Sequence, residues 1–120
     1  MNRRLLIIGL LLSVLSFAQA EPKAYDLVKY RGKAATVTIA FDFADGYPQA
    51  SEIKITDGKK TTTFRLDGSG EMKFAPEKAG GAIKSVALKM GMDDSAPAKV
   101  SGSYLAGGKS VPFTLAKSGK

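Results

Sequence analysis

The sequence predicts an all-β domain, either a small antiparallel up-and-down barrel or a two-sheet sandwich of about seven or eight strands. Apolar and polar residues alternate in a series of short segments, with the period of two that places every second side chain on one face of a strand. Clusters of Gly, Pro, Asp and Ser separate these segments at intervals of roughly ten residues. We find no long segment with the spacing of an amphipathic helix.

The clearest strand covers residues 36–43, and turn-forming residues follow it at 45–48. The alternation resumes over residues 51–56, so these two segments predict a hairpin. The apolar face of the first strand consists of Val37, Ile39, Phe41 and Phe43. Before it, residues 25–30 are apolar enough to form either an edge strand or a helical turn.

Further strands are predicted towards the C-terminus, at residues 61–66, 72–74, 86–90, 100–104 and 111–115. Pro76 interrupts the short strand at 72–74, and Gly80-Gly81 marks residues 76–82 as a loop. A second loop covers residues 91–97. The last two strands predict a C-terminal hairpin that turns at Gly107-Gly108.

This closing stretch begins at Val100, turns through Gly107-Gly108-Lys109 and ends in Val111-Pro112-Phe113-Thr114-Leu115. It resembles the last hairpin of small lipocalin-like (calycin-type) bacterial β-barrels. The Gly-x-Trp opening of lipocalins does not occur here, because the chain has no Trp. The resemblance implies a barrel topology and transfers no functional residue to this chain.

Residues 1–20 have the form of a secretory signal peptide. Arg3 and Arg4 precede an apolar run that is shorter than the roughly 20 residues needed to span a bilayer. Small residues at 18 and 20 predict cleavage after Ala20. We therefore expect a periplasmic or secreted protein with no transmembrane anchor after cleavage, and a single all-β domain over residues 21–120.

The composition limits the classes of partner. Loss of Arg3 and Arg4 reduces the 18 basic residues to 16, which against 11 acidic residues leaves a mature net charge of +5. The basic residues are mostly lysines spread singly along the chain, and the clustered Arg and exposed aromatics of a nucleic-acid site are missing. We expect no nucleic-acid partner. Because the chain has no Cys, its stability must come from apolar burial and hydrogen bonding.

The sequence contains no His and no Cys. Ser-His-Asp triads, thiol nucleophiles and imidazole or thiolate zinc sites are therefore excluded, and we expect a protein that is not an enzyme and uses no cofactor. Carboxylates remain as candidate acids and bases, but in predicted turns they ordinarily bond to their own backbone. The candidates are Asp42, Asp45, Glu52, Asp67, Glu71, Asp93 and Asp94.

Two carboxylate groups, at residues 42–45 and at Asp93-Asp94, have the oxygen ligands that calcium prefers. Neither follows the dense spacing of a calcium loop, so we expect no metal site. Tyr47 lies in a predicted turn beside Pro48, where its ring either packs on the proline or contacts a partner. Our candidate partner-binding residues are Tyr47, Asp93 and Asp94.

Two functions follow as hypotheses. In the first, the protein is an exported binding module that holds an apolar or amphipathic ligand between its strands, although the same apolar side chains could simply fill the interior. The lining residues would be Phe41, Phe43, Ile55, Phe64, Leu88 and Phe113. In the alternative, the protein is an interaction module, such as an enzyme inhibitor or an envelope-component partner, that uses residues 45–49 or 91–97.

Overall fold

The computed structural model describes residues 25–92 and 94–118, and its eight strands form one closed antiparallel barrel. The predicted signal peptide and Asp93 lie outside the described residues. The strands are β1 Asp26–Ala34, β2 Val37–Asp45, β3 Glu52–Asp57, β4 Lys60–Leu66, β5 Lys73–Pro76, β6 Ile83–Leu88, β7 Lys99–Ala106 and β8 Lys109–Lys117. The all-β prediction is confirmed.

Each strand pairs with its neighbours in sequence, which gives the up-and-down topology. The barrel closes where β1 pairs with β8, with Tyr30 opposite Lys117 and Arg31 opposite Ala116. This last pairing decides between the two predicted architectures, because a sandwich would leave β1 and β8 as separate edges.

Three local features go beyond the sequence pattern or depart from it. All but the first residue of the ambiguous segment at 25–30 belongs to β1, which begins at Asp26 and continues to Ala34. Strand β6 ends at Leu88, so Met90 lies in the following loop and not in the predicted strand. The β2–β3 connection contains a short 3-10 helix, Pro48–Ala50, closed by a hydrogen bond from the Ser51 N–H to the Pro48 carbonyl at 2.9 Å.

The interior is filled by apolar side chains from all eight strands and from the loop before β5. All six residues that we expected inside the barrel are buried there. Phe41 lies at the centre of an aromatic cluster, with its ring centroid 5.5 Å from that of Tyr30 and 5.9 Å from those of Phe43 and Phe74. The buried core consists of Tyr30, Ala34, Val37, Ile39, Phe41, Phe43, Ile53, Ile55, Phe64, Met72, Phe74, Val86, Leu88, Val100, Tyr104, Phe113 and Leu115.

The two ends of the barrel differ in their connections. At one end, which we call the turn end, residues 35–36, 58–59 and 107–108 make tight turns and residues 77–82 make a longer loop. At the other, the loop end, three longer connections meet both termini of the described chain. These connections are residues 46–51, 67–72 and 89–98.

Candidate functional site

Two adjacent grooves open at the loop end, and both are lined by Met92, Gly70 and Glu71. The first groove has a volume of about 230 Å³ and also contacts Met90 and Leu88. The second has a volume of about 280 Å³. Its other lining residues include Leu66 from the end of β4 and Gln49 from the 3-10 helix. Loops that are distant in sequence thus meet around Met92.

Tyr47 lies at the same end, and at 49% it is more exposed than Leu105, the other large apolar residue classed as exposed among those that the structure describes. Its ring centroid is 6.0 Å from that of Tyr25, and the two ring planes are tilted by 32°. The Tyr47 N–H donates to the Ala44 carbonyl at 3.0 Å, and the Tyr47 carbonyl accepts from the Ala50 N–H at the same distance. The backbone is therefore held while the ring stays accessible.

The predicted site residue Asp94 is exposed and serves its own loop. One of its carboxylate oxygens accepts a hydrogen bond from the Gly91 N–H at 2.7 Å. This is the turn role expected for such carboxylates. Asp94 and Tyr47 are on different loops of the same end, and their neighbours Met92 and Gln49 line a common groove. We call the surface of Tyr47, Gln49, Leu66, Met90 and Met92 the rim.

Other candidate carboxylates also have local partners. Asp67 accepts from the Ser69 N–H at 2.9 Å, and hydrogen bonds from the Ser69 side chain and backbone lower the pKa of Asp67. Asp42 pairs with Arg31 at 3.2 Å, and Glu52 pairs with Arg65 at 2.8 Å. Within residues 25–92 and 94–118, no group of three or more acidic residues is arranged to hold a metal ion.

A tyrosine inside the barrel fixes the loop that carries Met92. The Tyr30 hydroxyl donates to the Pro97 carbonyl at 2.6 Å, which ties the second half of the 89–98 connection to β1. Sequence reasoning did not find this contact, because nothing in the local pattern relates two residues so far apart. Burial, reinforced by the charge of Asp45, raises the pKa of Tyr30 above its ordinary value of 10.0.

We expect Tyr30→Phe to cost about 1 kcal/mol of stability, the usual net value of one hydrogen bond. The loss should be local, so hydrogen exchange of residues 94–98 should accelerate more than exchange in β2 and β3. The folded-state pKa of Tyr30 is raised, so the stabilisation that depends on its neutral hydroxyl is complete below pH 10. This stabilisation is lost as the pH rises through the folded-state pKa. Wild-type protein should therefore lose stability more steeply above pH 10 than Tyr30→Phe, as measured by urea unfolding. Parallel pH profiles would contradict this assignment.

The structure offers no helix, within its described ranges, that is long and apolar enough to cross a membrane. The closed antiparallel barrel agrees with the barrel topology expected from the resemblance of the C-terminal hairpin. Comparison of the chain with protein-family models, with curated proteins and with solved structures finds no match.

Proposed function

We propose that this protein is a non-enzymatic binding module that contacts a polypeptide partner through the rim at the loop end. The observation that carries this proposal is the distribution of apolar surface. The barrel interior is occupied by its own side chains. In contrast, Tyr47 and the two grooves lined by Met92 present apolar groups to solvent at the loop end. Of our two starting hypotheses, this favours the interaction module.

The size of the grooves supports a macromolecular partner. Pockets that enclose a small ligand usually measure about 300–1,000 Å³ and bury most of it. The rim grooves, at about 230 and 280 Å³, are smaller and open to solvent. Each suits a single side chain of a partner. An exposed tyrosine and adaptable methionines at one end of the barrel are also the residue types typical of interface hot spots.

Charge around the rim indicates which side chains a partner would present. Asp67, Glu71 and Asp94 are exposed in the loops that border the grooves. The nearby counter-charges are Lys73, 3.2 Å from Glu71, and the exposed Lys89, which precedes Met90. Carboxylates beside an apolar floor favour a segment that places a basic side chain next to an apolar one. An amphipathic small molecule of the same character is the second candidate, since half-buried Leu66, Met90 and Met92 form an apolar floor continuous with the core.

The test is capture of partners from the exported fraction by immobilised mature protein. Variants distinguish specific binding at the rim from non-specific apolar adsorption. Tyr47→Ala and Met92→Glu should each lower recovery of a specific partner by at least about tenfold, as expected for hot-spot residues. Leu105→Ser is the matched control, because Leu105 is also a large exposed apolar residue, at 40%, and lies on β7 away from the rim. Native and denaturing mass spectra of the same preparation detect a small molecule.

Equal recovery by all three variants would exclude the rim as the contact surface. A co-purifying mass that disappears on unfolding, and that Met92→Glu removes, would replace the polypeptide by the amphipathic small molecule. Unchanged circular dichroism of each variant establishes that any loss of binding is not a loss of fold.

A further inference from the structure

The turn end carries a second feature, an interrupted seam between β4 and β6. Strand β5 has only four residues and pairs with β4 only from Phe64 opposite Pro76 to Leu66 opposite Phe74. After Pro76 the chain leaves the sheet as the 77–82 loop, and a single ladder bond follows, from the Glu77 N–H to the Thr63 carbonyl at 2.9 Å. The first part of β4 therefore has β3 on one side, and none of the described strands pairs with it on the other.

Hydrogen-bond alternation identifies the main-chain groups that face this gap. The Thr63 carbonyl accepts from Glu77, and the Asp67 N–H donates to Lys73, so odd-numbered residues of β4 point their main-chain groups towards β5. The next residue in this series is Thr61. Among the described residues, no main-chain hydrogen bond joins Thr61 to the 77–82 loop.

Pro76 explains why the pairing between β5 and β6 also stops at this point. The Leu88 N–H donates to the Met72 carbonyl at 2.9 Å, so even-numbered residues of β6 face β5. Continuing the register of Phe74 opposite Val86 places Lys84 opposite Pro76. Proline has no N–H to donate to the Lys84 carbonyl, so the ladder cannot continue there.

A groove of about 440 Å³ lies where β5 would have continued. Its walls are residues 60–63 of β4 and residues 77–81. Its lining combines polar and apolar surface in similar amounts and includes three threonines, Lys60 and Lys78. Its one acidic residue, Glu77, is already paired with Arg65 at 2.8 Å. Neither lysine lies within ion-pair distance of a carboxylate in the part of the chain that the structure describes.

We propose that this groove binds an extended, acidic segment of another polypeptide, which pairs with β4 along residues 60–62, beyond the hydrogen bond between Glu77 and Thr63, and extends the interrupted seam. Strand addition of this kind uses the free main-chain groups of an edge for affinity and neighbouring side chains for specificity. The surrounding charge favours acidic residues in the added strand. Exposed charged residues at the turn end are Lys33, Lys59, Lys60, Lys78, Lys84 and Lys109, against Asp57 and Glu77.

The geometry also predicts the pattern of the segment. Phe64 is buried in the barrel and Arg65 is exposed, so Thr62 lies on the inward face while Thr61 and Thr63 lie on the outward face. An added strand therefore places the residue opposite Thr62 towards the barrel and the residue opposite Thr61 towards solvent. We expect a small or apolar residue next to an acidic one.

The probe is a phage-displayed library of random nine-residue peptides, selected against immobilised mature protein. Selected peptides are then made with a fluorescent label and titrated against variants. Thr61→Pro removes the groove-facing N–H, whereas Thr61→Ala keeps it, and both lose the hydroxyl that lies 2.9 Å from that of Thr56. We expect acidic peptides whose affinity falls about tenfold or more for Thr61→Pro and less than about threefold for Thr61→Ala.

A charge pair of variants keeps the test decisive if Thr61→Pro unfolds. Lys60→Glu combined with Lys78→Glu should weaken the same peptides, whereas Lys109→Glu, an exposed lysine at the same end outside the groove, should not. If no selected peptide distinguishes these charge variants, or if Thr61→Pro folds and binds as Thr61→Ala does, the proposal is wrong. Peptides whose affinity falls for Tyr47→Ala instead bind at the rim. The two proposals are therefore tested separately.

Discussion

Replacing Phe41 by Ala is expected to lower the free energy of unfolding by about 3–5 kcal/mol. The ring is fully buried, and it contacts Tyr30, Phe43 and Phe74 within the aromatic cluster. Removing it deletes apolar burial and leaves a cavity, and the closed barrel restricts how far the surrounding strands can move inward to fill that cavity. A domain of this size has a total stability of only about 5–15 kcal/mol, so the variant would be close to unfolding.

The measurement is urea unfolding of the mature protein, followed by circular dichroism. Phe41→Leu retains most of the volume and should cost much less than Phe41→Ala. Thr38→Ala, an exposed position on the same strand, should be within about 0.5 kcal/mol of wild type. A loss below about 1 kcal/mol for Phe41→Ala would mean that the interior is loosely packed, and it would revive the hypothesis of an enclosed ligand.

Gly102→Ala is expected to cost about 1–3 kcal/mol or more, although it adds one methyl group. Gly102 lies on the inward face of β7 opposite Phe113, where the barrel leaves no room for a side chain. A Cβ at this position would collide with the Ala87 carbonyl oxygen. It would also lie 2.9 Å from Leu88 Cδ2 and 3.1 Å from Phe113 Cζ. Because the closest atom belongs to the backbone, rotation of a side chain cannot relieve the collision.

Thermal unfolding of Gly102→Ala and Gly81→Ala provides a matched comparison. Gly81 has a negative φ and open space around a built Cβ, so its replacement should leave the Tm unchanged or slightly raised. Gly102→Ala should lower the Tm by about 4 °C or more, in proportion to its cost. If the two variants had equal Tm values, β7 would not pack against β6 as closely as this register requires.

Part of the candidate site could be predicted from the sequence. Tyr47 follows a glycine and precedes Pro48 in a turn, and such a position keeps a ring near solvent. Met92 lies in the predicted 91–97 loop but was not singled out, and Met90 was assigned to the strand. An apolar residue at the end of an alternating segment continues the strand pattern, and only the end of β6 at Leu88 shows that Met90 lies in the loop. The Tyr30 contact with Pro97 could not be predicted, since it depends on the closure of the barrel.

The groove at the turn end could also be predicted only in part from the sequence. Pro76 marks the end of β5 in the sequence, because a residue without an N–H cannot continue a ladder on both sides. The consequence, an edge on β4 that faces residues 77–81, depends on which strand β5 leaves unpaired.

The sequence by itself determined the all-β class, the approximate positions of the strands and which side chains point inward, because a period of two in hydrophobicity is a local property of each segment. The tertiary structure alone decided that the sheet closes. Closure requires β1 to reach β8 with Tyr30 opposite Lys117, and such a pairing depends on the twist and stagger of all eight strands together. The same closure fills the interior and leaves the rim and the interrupted seam as accessible surfaces, so the proposed contact sites follow from the barrel and not from any single segment.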